Sequence, residues 1–196
     1  MDIIVRNLSK KYGEKKVFHN FSAIIKEGGV TSIMAPSGAG KTTFLRILAG
    51  LEKADEGSIE GMEGKNIGMV FQEDRLCENL NSVSNISFVC SNAITRQQIL
   101  EELHKVGLAG SELQPVRELS GGMRRRTALV RALLSVYDIL ILDEPFKGLD
   151  ESNKIEIMNY TLKKSMGKTV ILVTHDENEV KFMGGEIIYM YPHIIK

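Results

Sequence analysis

The hydrophobic and polar positions of this chain follow two alternating patterns. Short apolar runs such as Val30–Met34 and Thr169–Thr174 are rich in β-branched residues, which is typical of strands in a sheet covered on both faces. Between them, segments such as 121–134 and 151–165 carry apolar residues three or four positions apart, which predicts helices. Because strands and helices follow one another in turn, the pattern predicts an α/β fold with a mainly parallel sheet.

The same pattern predicts the individual elements and their organisation. In the helix over 151–165, we expect Ile155, Met158 and Leu162 on the buried side. No internal repeat or linker is visible, so we predict a single domain over residues 1–196. We predict a hairpin over 55–65, and strands over 3–8, 16–25, 30–34, 67–71, 139–142, 169–174 and 185–191. We predict helices over 42–49, most of 82–106, 121–134 and 151–165.

Composition narrows the class of function. The 25 Lys and Arg residues balance the 25 Asp and Glu residues, which argues against a broad, charge-driven nucleic-acid binder. The spacing of Cys77 and Cys90 matches no zinc or redox motif, so we expect reduced thiols. No apolar run approaches the roughly 20 residues of a membrane span, and the first residues do not form a secretory signal. We therefore expect a soluble intracellular protein that reaches any membrane through a partner.

A glycine-rich segment, Ala35–Thr42, lies between a predicted strand and a predicted helix. Its spacing is that of the P-loop phosphate-binding motif, with Ala35 in place of the usual first glycine. Glycines in such a loop let backbone N–H groups turn toward phosphate oxygens. We expect Lys41 to lie against the β- and γ-phosphates, Thr42 to bind Mg²⁺ and Thr43 to contact the α-phosphate. The expected nucleotide-binding residues of this loop are Ser37, Gly38, Ala39, Gly40, Lys41, Thr42 and Thr43.

Two carboxylates, Asp143 and Glu144, follow the apolar run 139–142. Successive side chains on a strand point to opposite sides, so one carboxylate can face a metal while its neighbour faces a water. We expect Asp143 to bind Mg²⁺ and Glu144 to act as general base on the attacking water. A solvated acidic pair at a strand end is the alternative, and the P-loop upstream favours the catalytic interpretation.

The run Leu119–Met123 reads Leu-Ser-Gly-Gly-Met and opens a predicted helix. Its bare N–H groups and the positive end of the helix dipole suit a phosphate. Together with the P-loop and the two carboxylates, this run resembles the signature segment of the ATP-binding subunits of ABC transporters, whose usual last residue is Gln. The pair Met123-Arg124 and the segment Phe71–Leu76 are most similar to the nitrate, sulfonate and taurine importer group.

This resemblance covers nearly the whole chain and implies further site residues. Gln72 resembles the Q-loop glutamine, which reaches both Mg²⁺ and the attacking water. Asp150 falls in the D-loop, and His175 in the switch loop that contacts the γ-phosphate. Tyr12 lies where the family places an aromatic residue that stacks on adenine, although an exposed turn aromatic would look the same. The resemblance also implies an antiparallel β subdomain and a small helical subdomain over roughly 73–118.

The resemblance implies partners as well. Two chains would pair head-to-tail on ATP binding, so that Ser120, Gly121 and Gly122 of one chain cover the P-loop of the other. A groove near Gln72 would receive a helix of a membrane permease, which would place the chain on the cytoplasmic face of the membrane. A stand-alone ATPase chain implies an importer, here of a small and anionic solute, served by an extracytoplasmic solute-binding protein.

Two other classes of function are open at this point. A non-transport ABC ATPase acting on nucleic acid or ribosomes usually carries a coiled-coil insertion or a second cassette, and neither fits in 196 residues. An ATP sensor without turnover would not need Lys41, Asp143, Glu144 and His175. The run Arg124–Arg126 suggests a nucleic-acid patch, but three successive helical positions point in different directions, so we expect a solvated helix face with one Arg near phosphate or a partner.

Overall fold

The computed structural model describes residues 1–36, 38–91 and 93–191, so the predicted site residue Ser37 lies outside the described residues. The strands are β1 Ile3–Tyr12, β2 Lys15–Ile25, β3 Val30–Met34, β4 Glu56–Glu60, β5 Ile67–Val70, β6 Ile139–Asp143, β7 Thr169–Thr174 and β8 Glu186–Tyr189. The α-helices are α1 Lys41–Leu48, α2 Ser82–Ser87, α3 Arg96–Lys105, α4 Gly121–Leu134, α5 Glu151–Lys164 and α6 Glu177–Met183, with a 3-10 turn at Val116–Glu118.

The larger sheet has the strand order β5-β6-β7-β3-β8, and every neighbouring pair is parallel. The mainly parallel sheet predicted from the sequence is therefore confirmed. Every residue of β6 and β7 is buried, which explains their unbroken apolar character. Because the carboxyl ends of parallel strands meet at one edge, the segments that follow β3, β5, β6 and β7 lie together there, where open α/β sheets bind their ligands.

The smaller sheet has the order β2-β1-β4, with both pairs antiparallel. The predicted hairpin over 55–65 is wrong, because β4 pairs with β1 instead, placing Ile59 opposite Val5. Its apolar side chains pack against α1, where Phe44 meets Phe18 and Phe21 edge to face. This packing fixes the helix that follows the P-loop.

The helices form the other half of the core. The predicted helical region 82–106 is two helices, and Thr95 starts the second with a capping box to Gln98. Side chains of α2, α3 and α4 share a buried cluster with β5 and β6. The placement of Ile155 on the buried side of α5 is wrong: it is 48% exposed, and Ile157 and Met158 lie inside. The helical subdomain over roughly 73–118 stays a prediction.

Candidate nucleotide site

The P-loop turns sharply before α1 because glycine occupies its tightest points. Gly40 caps α1 with a φ of 88°, and a Cβ there would come within 2.6 Å of the Val17 side chain. Gly38 also has a positive φ, of 81°. Ala35, the departure from the motif, is buried in the core, and its carbonyl oxygen accepts a hydrogen bond from Lys41 Nζ at 2.6 Å. The loop thus accommodates the extra methyl group and keeps the lysine at its mouth.

Asp143 lies at the carboxyl end of β6, beside the start of α1. The Thr42 hydroxyl donates a hydrogen bond to Asp143 Oδ2 at 3.0 Å. Burial raises the pKa of Asp143 above its usual value, since a carboxylate loses hydration inside the protein. A bound cation would offset this cost of burying a negative charge. The Thr42 hydroxyl and the Asp143 carboxylate are oxygen ligands of the kind that Mg²⁺ prefers.

No group of three or more His, Cys, Asp or Glu side chains in the described part of the chain could hold a metal ion by itself. Mg²⁺ commonly binds proteins through one or two carboxylates and takes its other ligands from phosphates and water. The residues present therefore fit a magnesium ion that arrives with a nucleotide.

Glu144 follows directly and is held from three sides. Its φ is 47°, an unusual value for a residue with a side chain, and its N–H donates to the carbonyl oxygen of Val173 at 2.8 Å. Its carboxylate pairs with Lys147 Nζ at 3.0 Å and with His175 Nδ1 at 3.2 Å. Burial opposes the charge of Glu144, but the two basic neighbours outweigh it and lower its pKa. Sequence reasoning missed Lys147, which belongs to no motif.

The P-loop and the two carboxylates line one cleft of about 320 Å³ at the carboxyl edge of the parallel sheet. The cleft brings together most of the residues expected to bind nucleotide or metal. They are Tyr12, Gly38, Gly40, Lys41, Thr42, Thr43, Gln72, Asp143 and Glu144. Lys15 and Lys16 also line it and add positive charge, which suits an anionic ligand.

Tyr12 forms the rim of this cleft at the end of β1. Its ring is half-exposed, and its hydroxyl donates a hydrogen bond to the carboxylate of Glu52. This bond raises the pKa of Tyr12, because an ionised phenol would repel the carboxylate. The ring is thereby held in one orientation at the rim of the cleft.

Ser120, Gly121 and Gly122 lie elsewhere. Ser120 caps α4 by accepting the N–H of Met123 at 3.3 Å, and it is exposed. A Cβ added to Gly121 would meet no atom within 4 Å, whereas one added to Gly122 would lie 3.6 Å from the Leu149 side chain. Among the described residues, the lining of the cleft includes none of the three. The first turn of α4 therefore presents its N–H groups to the outside of the chain.

Asp150 and His175 also lie outside the lining of the cleft. Asp150 precedes α5 and accepts hydrogen bonds from Ser152 and Asn153, which lower its pKa to about 2. His175 reaches the cleft indirectly, through Glu144. Ala39, expected among the nucleotide-binding residues, is fully buried.

The arginines of α4 do not form the solvated face that we expected. Arg125 is buried and donates to the carbonyl oxygens of Phe71 at 2.7 Å and Gln72 at 2.5 Å. Arg126 donates to the carbonyl oxygen of Val106 at 2.8 Å. The segment after β5 is thus tied to the helix that begins at Ser120, and the sequence offered no signal for this tie.

Comparisons with known proteins agree with this geometry. The family model described as ABC transporter matches residues 18–147, which include the P-loop, Gln72, Ser120 and both carboxylates. The aliphatic sulfonates import ATP-binding protein SsuB 1 of Rhodococcus jostii is 38% identical over 93% of this chain and 76% of its own length. The taurine import ATP-binding protein TauB of Escherichia coli O157:H7 is 36% identical over 96% of this chain and 79% of its own.

Among solved structures, the dimeric structure of MJ0796, a bacterial ABC transporter cassette, superposes with a TM-score of 0.85. It shares 33% sequence identity, over 96% of this chain and 94% of that one. The same cassette, as a dimer in a post-hydrolysis state bound to ADP and Pi, gives a TM-score of 0.84 at 32% identity, over 98% and 97% of the two chains. No helix in the described ranges of this chain is long and apolar enough to cross a membrane. With its fold, its cleft and these relatives in agreement, the chain belongs to the ABC transporter family as an ATP-binding subunit that hydrolyses ATP.

Proposed function

We propose that this chain drives a membrane importer of a small anionic solute, and that it does so as a head-to-tail pair with two shared ATP sites. One observation carries the pairing: the cleft gathers the P-loop and both carboxylates, while Ser120 and Gly121 face outward. Since those donors do not line the cleft of their own chain, a second copy is the source that completes it.

Direction and solute rest on the relatives. SsuB 1 and TauB are both named import proteins, one for aliphatic sulfonates and one for taurine. Sulfonates carry a negative charge, which supports an anionic solute here. The relatives give no support to the alternative of an ABC ATPase that acts on nucleic acid or ribosomes.

The chemistry follows from the groups in the cleft. Lys41 and the P-loop N–H groups bind the β- and γ-phosphates, Thr43 contacts the α-phosphate and Tyr12 stacks on adenine. Mg²⁺, held through Thr42, Gln72 and Asp143, would neutralise charge on the phosphates.

Glu144 accepts a proton from the attacking water, and Gln72 orients that water. His175 lies beside Glu144 and would contact the γ-phosphate. The partner's first turn of α4 adds N–H donors to the same phosphate. Hydrolysis removes the group that both chains hold, so the pair separates.

Partners are proposed on the same basis. A permease helix would dock near Gln72, whose backbone is tied to α4 through Arg125. Contact with the permease would thus reach the segment that meets the second ATP. The chain would act at the cytoplasmic face of the membrane, and a solute-binding protein would deliver the solute from the other side.

The test is the variant Glu144→Gln, which removes the base but keeps the shape of the side chain. We expect a Mg²⁺- and ATP-dependent dimer by light scattering, with hydrolysis reduced roughly 100- to 10,000-fold. The matched control adds Ser120→Arg, whose bulk at the outward turn should return the protein to a monomer. A Glu144→Gln protein that stays monomeric at saturating ATP would refute the shared site.

A second measurement addresses import. The chain is purified with the permease that it binds in its cells and reconstituted into vesicles. We expect ATP supplied on the side of this chain to drive a labelled sulfonate toward that side. Movement in the opposite direction, or tight nucleic-acid binding that salt reverses, would contradict the proposal.

A further inference from the structure

A buried ion cluster lies behind His175 and takes no part in the chemistry above. At its centre is Lys154 of α5, which is 8% exposed. Its Nζ lies 2.5 Å from Asp176 Oδ2 and 2.9 Å from Glu179 Oε1. Glu179 is also buried, and its second carboxylate oxygen accepts a hydrogen bond from the Thr174 hydroxyl at 2.6 Å.

The cluster grips the chain on both sides of His175. Thr174 precedes the histidine and Asp176 follows it, and the N–H of Asp176 donates to the Thr174 hydroxyl at 3.1 Å. The histidine itself has little packing of its own, since its side chain is 64% exposed. Its position against Glu144 is therefore set by its two neighbours, and both of these belong to the cluster.

Lys154 also connects this loop to Asp150. Its backbone N–H donates to the carbonyl oxygen of Asp150 at 2.8 Å, within the first turn of α5. The same residue thus meets the start of α5 through its main chain and the His175 loop through its side chain.

The energetics of the cluster indicate that Lys154 orients its neighbours more than it stabilises the fold. Burial alone would lower the pKa of Lys154, but its two carboxylate partners outweigh burial and raise it, so the lysine stays charged. Buried ion pairs give back little more than their desolvation costs, and apolar residues of similar size often replace them without loss of stability. A buried lysine with two acidic partners is therefore better explained by the orientation it enforces.

We propose that Lys154 is a positioning residue that holds His175 in place through Asp176 and Glu179. The inference rests on the proposed role of His175 at the γ-phosphate. It makes α5, which begins next to Asp150, the element that sets where the histidine lies.

The first experiment compares two lysines of α5. Lys154→Met keeps the length of the side chain and removes the charge; we expect kcat for ATP to fall about 10- to 100-fold, with KM changed less than about twofold. Lys154→Arg should restore most of kcat. The matched control is Lys164→Met, because Lys164 also pairs with a buried carboxylate, that of Glu102 at 2.8 Å, but remote from His175. We expect it to keep the kcat of the original protein.

A double-mutant cycle shows whether the effect passes through His175. In a His175→Ala background, Lys154→Met should lower kcat by no more than about twofold further, because its target is already gone. Losses that multiply in full would overturn the inference. A His175→Ala protein with unchanged kcat would instead overturn the proposed role of the histidine.

A third readout is independent of activity and of that role. The imidazole NMR signal of His175, assigned by its loss in His175→Ala, should shift in Lys154→Met and stay in place in Lys164→Met. Should Lys154→Met fail to fold, Asp176→Asn removes one partner from the exposed side of the cluster and should shift the same signal. An unmoved signal with unchanged kcat would overturn the inference.

Discussion

The P-loop cleft and the first turn of α4 are both proposed to offer backbone N–H groups to a phosphate, yet the chain builds them differently. In the cleft, side chains from several elements converge, and Thr42 already donates to Asp143. At the turn, Ser120 caps the helix and Gly121 faces open space. The cleft is formed by residues of a single chain. In the proposed pair the turn is half of a site, which another copy of the chain would complete.

The two regions also differ in what supports them. The cleft rests on the parallel sheet, whose strands β6 and β7 are buried at every residue. The turn rests on α4, which Arg125 joins to the backbone after β5. A change at the cleft should therefore alter chemistry in each chain, whereas a change at the turn should alter only what two chains do together.

The largest effect is expected from Asp143→Asn in the cleft. Hydrolysis should fall roughly 100-fold or more, because the amide is a poor ligand for Mg²⁺. The melting temperature without nucleotide should rise. Burial raises the pKa of Asp143 in the folded state, so stability is lost as pH rises from the ordinary value of 3.8 through the folded pKa, and the neutral amide avoids this loss.

Calorimetry between pH 4 and pH 8 measures this directly, since the gap in melting temperature between the two proteins should widen with pH. Thr169→Ser, a mild change at the opposite end of the sheet, serves as the control. A variant that keeps its activity, or that melts lower at neutral pH, would show that Asp143 is a structural carboxylate.

The second effect is expected from Gly121→Ala at the outward turn. A Cβ there meets no atom within 4 Å, and alanine favours a helix by up to about 1 kcal/mol over glycine, so the fold should be unharmed. ATP binding by the monomer should be unchanged. Hydrolysis should fall about 10- to 100-fold, because the methyl group stands where the partner's phosphate must approach.

The control for this variant is Gly29→Ala, just before β3 and at the opposite end of that strand from the P-loop. A Cβ there meets nothing nearer than 4.0 Å. Both proteins are compared by melting temperature, by ATP affinity and by turnover. If Gly121→Ala turns over ATP at the original rate, the first turn of α4 is not part of the site.

The third effect concerns the contact between α3 and α5, which involves neither the cleft nor the outward turn. Glu102 of α3 accepts a hydrogen bond from Tyr160 of α5 at 2.6 Å and pairs with Lys105 and Lys164. Burial opposes its charge, but these partners lower its pKa to about 2. The stability it contributes is present above the ordinary pKa of 4.5 and is lost as pH falls from there toward 2.

Glu102→Gln should accordingly reduce the free energy of unfolding at pH 7 by on the order of 2 to 3 kcal/mol. The deficit should shrink as pH drops below the ordinary pKa. Urea unfolding at several pH values tests this, while kcat of the folded fraction should not change. A loss of kcat without a loss of stability would mean that α3 and α5 take part in the catalytic cycle itself.

The parts of this design that sequence reasoning predicts are those whose chemistry is local in the chain. The P-loop, the pair Asp143-Glu144 and the turn at Ser120 each lie within a few residues, so their spacing carries the signal. The buried strands β6 and β7 are predictable in the same way, because each contains a run of successive apolar residues.

What escaped prediction depends on contacts between distant positions. The partner of β4 is β1, about fifty residues upstream, and nothing in residues 55–65 points to it. Arg125 meets Gln72 across 53 positions and Lys154 meets Asp176 across 22. The sequence of α5 allows two apolar faces, one with Ile155 and one with Ile157. In the folded chain the face with Ile157 is buried, and the sequence alone does not decide between them.

The smallest effect is expected from Tyr12 at the rim of the cleft. It tests whether the part of the site that lies within one chain includes the adenine contact. Stacking of a base on an aromatic ring contributes roughly 1 to 3 kcal/mol, so Tyr12→Ala should weaken ATP binding about 10-fold or more in the monomer. Tyr12→Phe keeps the ring and loses the hydroxyl with its bond to Glu52, so it should bind within about twofold of the original protein. Calorimetric titration with ATP and with inorganic triphosphate separates base from phosphate: the alanine variant should lose affinity for the first and keep it for the second. Equal losses for both ligands would mean that Tyr12 shapes the loop. Unchanged affinity for both ligands would mean that Tyr12 does not contact adenine and that the base is bound by other residues.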